Sequence, residues 1–108
     1  MSRLKLPKEH VAGGFPLRIK RTTRSGGFFD TAGGIIEIGN DICDFTFVEF
    51  LLHECLEAST CMHEVRYGAQ TEQYVIVLDH RTFKVIVAEL AGTVLKLLKA
   101  NGYKEIED

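Results

Sequence analysis

Residues 46–64, TFVEFLLHECLEASTCMHE, decide how the rest of the chain is read. Thr46-Phe47-Val48-Glu49 has the form of a capping box, in which the Thr hydroxyl and the Glu carboxylate satisfy free backbone N–H groups reciprocally. Phe45 and Phe50 stand where the accompanying hydrophobic staple would be. The pattern predicts a helix from about Phe47 to Met62, with Phe47, Phe50, Leu51, Ala58 and Met62 spaced for burial.

Upstream of this helix, glycine pairs at 13–14, 26–27 and 33–34 punctuate short β-type runs. FPLRIKRTT reads as one strand, with Leu17 and Ile19 alternating against Arg18 and Lys20. SGGFFD and IIEIG read as two strands joined by a tight turn at TAGG. No glycine pair belongs to a phosphate-cradling GxGxxG or GxxxxGK[ST] motif. Downstream, EVRY and QYVIVL read as two short strands separated by GAQTE. A second long helix starts near Asp79 or His80, with Phe83, Val87, Leu90, Val94 and Leu97 on one face. It ends at Asn101-Gly102, where the glycine takes the left-handed cap, and the tail KEIED is expected to be solvated. The outline is α+β, a single domain over residues 1–108.

Composition bounds the function classes. The 108 residues suit one compact domain, and no apolar run approaches the roughly 20 residues of a membrane helix. The N-terminus has neither an apolar core nor a small-residue cleavage site, so no signal peptide is expected and the protein is read as cytoplasmic. Three cysteines, Cys43, Cys55 and Cys61, with no CxxC spacing, predict free thiols acting as small buried apolar residues. Charge is unevenly placed. Residues 1–24 hold seven Lys/Arg against one Glu, and the remainder six against fourteen Asp/Glu, for a net charge of −2. A basic segment can be a nucleic-acid footprint, but the alternation in LRIK is that of a strand with one solvated face, so nucleic acid is not the expected partner.

His53 and Glu57 are four residues apart, hence about 40° apart on one helix face at roughly 3.6 residues per turn. Glu54 lies beside them. HExxE shares its geometry with the zincin motif HExxH, in which the first and fifth residues bind zinc and the second handles the water. A carboxylate at the fifth position is an acceptable ligand that alters charge and reach. Two histidines compete for the third ligand. His63 has the spacing of HExxHxxGxxH, but Thr60 replaces the helix-breaking glycine, and in an unbroken helix His63 lies about 15 Å along the axis from His53 at roughly 1.5 Å per residue. His80, next to Asp79 at the start of the second helix, sits where the helix dipole favours the neutral imidazole that a metal requires. His10 has no visible partner.

GGFFDTAGGIIEIG (26–39), FVEFLLHECLEA (47–58) and VLDHRTFKVIVAELAGTVLKLLKANG (77–102) together resemble the short zincin-like proteins encoded by bacteriophages and prophages. LLHECLEA is the most specific part of a resemblance that covers about residues 26–102. It implies a small zincin-like α+β domain, with a short sheet, a central HExxE helix and a closing C-terminal helix. It further implies zinc held by His53, Glu57 and His80, with Glu54 as general base. The expected function is that of a metallopeptidase-like zinc hydrolase acting on a peptide or protein, with IIEIG offering an edge to an extended substrate. The alternative is a non-catalytic, metal-stabilised interaction module of phage or mobile-element type, for which the same ligands would serve stability alone.

Overall fold

The computed structural model describes residues 4–30, 32–40, 42–68 and 74–104. The architecture is α+β: a four-stranded sheet covered by two long helices, with a separate two-stranded sheet. Strand β1 (Glu9–Ala12) and strand β2 (Phe15–Thr22) form a hairpin through Gly13 and Gly14. Both glycines have positive φ, 58° and 83°, the backbone a two-residue type I′ turn requires. Leu17 and Ile19 of β2 are buried while Arg18 and Lys20 face solvent, as the alternation predicts. Strand β3 (Gly27–Asp30) pairs antiparallel with β4 (Ile35–Gly39), and β4 runs parallel to β2, giving the order β1-β2-β4-β3. IIEIG is therefore an interior strand and offers no edge. The free edge beside the helix belongs to β3.

Helix α1 (Asp44–Met62) lies on this sheet, burying Phe47, Leu51, Cys55 and Ala58 against Leu17, Ile19, Ile36 and Ile38. It starts three residues earlier than the capping-box reading places it. Cys43 is the N-cap, its carbonyl accepting from Phe47 N at 2.9 Å, and no side chain caps the helix. Thr46 sits within the first turn, its hydroxyl 3.3 Å from Cys43 Sγ, and Phe45 is 75% exposed, so neither box nor staple forms. Asp44 in that first turn complements the helix dipole instead. The helix runs unbroken to Met62 and stops at Glu64, a non-glycine residue in the left-handed region at φ 57°. All three cysteines are free, as expected. Only Cys55 is fully buried, and Cys43 at the cap is exposed.

Strands β5 (Arg66–Gly68) and β6 (Tyr74–Ile76) pair antiparallel. Most of the predicted GAQTE connection, and the tail from Glu105 on, lie outside the described residues. Helix α2 (His80–Ala100) begins where expected, with Asp79 Oδ1 accepting from Thr82 N at 2.8 Å, and ends at Asn101 and Gly102, the latter at φ 99°. Its buried stripe is not the one predicted. Ile86, Thr93 and Leu97 are buried and Leu90 packs against the core, whereas Phe83 and Val87 are about half exposed. The stripe is rotated because a polar residue, Thr93, occupies its centre.

Thr93 faces His10, a fully buried residue of β1. His10 Nδ1 lies 2.6 Å from Thr93 Oγ1, and its Nε2 lies 2.7 Å from Ser59 Oγ on α1. Ser59 in turn donates to Glu89 Oε1 at 2.8 Å, while Glu89 Oε2 accepts from Gly13 N and lies 2.8 Å from His63 Nε2. This chain of bonds joins β1 and both helices in one polar network, buried at His10 and reaching the surface at Glu89. Burial pushes the His10 imidazole below its ordinary value. Burial alone would raise Glu89, but the Gly13 N–H, His63 and Ser59 hold its carboxyl below the usual range. Among the described residues, no helix is long and apolar enough to cross a membrane.

Candidate metal centre

The HExxE segment occupies the middle of α1, where the helix crosses the β3 end of the sheet. The four-residue spacing brings His53 Nε2 to 3.4 Å from Glu57 Oε1. Each of His53, Glu54 and Glu57 presents a ligand atom within 4.8 Å of the others, the one such group among the described residues. The three differ in setting. His53 is largely exposed and Glu57 partly so, while Glu54 is 5% exposed. Arg66 of β5 approaches Glu57, Nη1 to Oε1, at 3.7 Å.

Glu54 is the unusual member. Its Oε2 is buried without a hydrogen-bond partner, a condition native proteins rarely leave uncompensated. Burial raises its pKa and the neighbouring Glu57 raises it further, with His53 and Arg66 opposing. A small cleft of about 110 Å³ opens here, lined by Gly27, Phe50, His53 and Glu54. Two carboxylates and an imidazole at this separation form a donor set suited to a divalent cation, and a cation would offset both the mutual repulsion of the carboxylates and the unpartnered oxygen. The residues fit the metal.

The other two histidines in contention stand apart from this group. His63 is engaged with Glu89. His80 is exposed at the first position of α2 and is not among the grouped ligands. Two contributors have no signal in the motif itself. Arg66 lies beyond the helix. Gly27 reads in sequence only as half of a turn-forming pair, yet a Cβ there would lie 3.0 Å from Glu54 Cγ and 3.4 Å from Phe50 Cβ. The absent side chain lets Glu54 rest against β3. Gly27→Ala is expected to displace the carboxylate by a few tenths of an ångström; if Glu54 serves as a base in a hydrolytic reaction, metal content should be unchanged and kcat should fall by about tenfold. Metal analysis beside turnover measurement checks this. Comparison of the chain with protein-family models, curated proteins and solved structures finds no match.

Proposed function

We propose that this protein is a zinc-dependent, peptidase-like hydrolase, with His53 and Glu57 as metal ligands and Glu54 as general base. The observation that carries the proposal is the buried, unpartnered Glu54 Oε2 beside a His–Glu pair of metal-ligand spacing. Zinc bound there would supply Lewis acidity and lower the pKa of a water at its open position to about 7. Glu54, with its proton affinity raised by burial and by Glu57, accepts a proton more readily than a solvated carboxylate. Phe50 and Gly27 line the cleft beside it. The open edge of β3, on the same side as the cleft, allows an extended peptide to add as a further strand.

His80 is the third ligand that the resemblance to phage zincin-like proteins implies, and zinc content of His80→Ala separates two ligand sets. Loss of zinc assigns His80. Retained zinc leaves Glu54 as the third ligand and the enzyme without a free base. A second reading, the metal-stabilised binding module, is favoured by one observation: large apolar residues are exposed on the hairpin and the first half of α2, among them Tyr67, Val75, Val77 and Phe83. The test is a broad peptide library offered to zinc-loaded protein. Cleavage abolished by a chelator and restored by zinc is expected. No cleavage with zinc bound favours the module.

A further inference from the structure

The hairpin that carries Arg66 towards the candidate metal centre has two unlike faces. Its register sets Tyr67 opposite Val75 and Arg66 opposite Ile76, so the two pairs point to opposite sides. Arg66 approaches Glu57 of α1 at 3.7 Å, which turns its face to the body. The other face carries Tyr67 and Val75, with Val77 next along it, its N–H donating to Val65 O at 2.9 Å. Tyr67, Val75 and Val77 are all more than half exposed. Among the described residues no charged side chain stands on this face.

An antiparallel pair ordinarily turns its polar side to water, and here the outward side is apolar. A two-stranded sheet is also marginal in water by itself. Strands β5 and β6 pack chiefly on each other, and the hairpin is held to the body at its base, where Val65 N donates to Thr60 O at 3.1 Å. Helix α2 follows directly, and its first half is as bare. Between His80 and Gly92 only Ile86 is buried, while Phe83 and Val87, one turn apart on one face, are each about half exposed.

We propose that the chain forms a two-fold dimer through this surface, the outward hairpin face and the Phe83–Val87 stripe of one copy packing on the same residues of a second. These five side chains leave on the order of 500 Å² of apolar surface per copy, so the pair buries about 1,000 Å², the size a specific interface must reach. A two-fold contact sets a patch against its own image, which any charge near the axis would oppose. The hairpin face carries none, and so offers nothing by which a different protein would be selected through charge. Its need for cover is permanent, as in obligate homodimers, whose interfaces are the most apolar. The dimer stands independently of the hydrolase reading and takes up the surface on which the binding-module reading rests.

The test is sedimentation of the tag-free full chain over a rising concentration series. The mass of two chains is expected, reached in the micromolar range and little affected by salt, because the contact is apolar. Val75→Glu with Phe83→Glu sets like charges across the axis and should weaken association by about a hundredfold or more. Phe45→Glu, at an exposed apolar position in the first turn of α1, should leave the dimer intact. Should the double variant unfold, amide exchange of wild type serves instead, and residues 65–68 and 74–77 should exchange more slowly as concentration rises. A wild type that stays monomeric to millimolar concentration would leave the surface to another partner and overturn the proposal. Folded double variants that dimerise as wild type does, or hairpin exchange that ignores concentration, would overturn it too.

Discussion

Glu54→Gln is expected to keep its metal and to lose peptide hydrolysis by about 100- to 10,000-fold, the usual worth of general-base assistance. The substitution preserves shape in a site with little room: Glu54 is 5% exposed and its Cγ is 3.0 Å from where a Gly27 Cβ would stand. What it removes is a carboxylate whose pKa is raised by burial and by Glu57. A group with a raised folded pKa opposes folding at pH values where it is ionised. Glu54→Gln should therefore melt no lower than wild type at neutral pH, and slightly higher if the amide is accommodated. Lost activity with retained metal and unimpaired folding is a combination that a purely structural role for Glu54 would not give. Loss of metal would make Glu54 a ligand and leave the hydrolytic reading without its base.

His10→Ala is expected to destabilise the fold by about 2–4 kcal/mol, among the larger effects of a single substitution. The imidazole is fully buried, and its removal takes one hydrogen-bond partner from each of the Ser59 and Thr93 hydroxyls, Ser59 keeping Glu89, and leaves an unfilled volume. The same residue sets a pH dependence. The His10 pKa in the fold lies below its ordinary value of 6.5, because burial, aided by Lys96, outweighs the attraction of Glu89. Both states are neutral above about 6.5, so stability is full there. Below it the unfolded chain takes up the proton first, and stability falls until the folded pKa is reached. Glu89, with its pKa depressed below 4.5, adds a further loss at more acidic pH. Urea unfolding at pH 7 and pH 5 should show a lower midpoint at pH 5 in wild type and a smaller pH effect in His10→Ala.

The parts of this fold that were legible in the sequence are those where local pattern and tertiary burial agree. The β3–β4 hairpin follows from its glycines and apolar runs, α2 from the Asp79 cap to the Gly102 stop, and the His53–Glu57 pair from helical spacing alone. Where burial is polar, the pattern misleads. Strand β1 is only four residues long and one of its two buried side chains is His10, so it carries little apolar signal. For the same reason the buried face of α2 centres on Thr93 instead of running through Phe83 and Val87. The start of α1 lies earlier than the pattern places it because Thr46 and Glu49 fit the capping-box pattern equally well from within the first turns of a helix. IIEIG reads as a strand, but its neighbour on the other side, β2, is fixed by a long-range parallel pairing that no local run encodes. At the candidate metal centre, Gly27 and Arg66 are brought in by the fold and not by the motif.

The claim that His53, Glu54 and Glu57 form a metal centre is tested most directly by elemental analysis of tag-free protein, wild type beside His53→Ala. Equimolar zinc in wild type, lost in a His53→Ala variant that remains folded, is the expected result. Metal-free wild type, or zinc unchanged in His53→Ala, would contradict it.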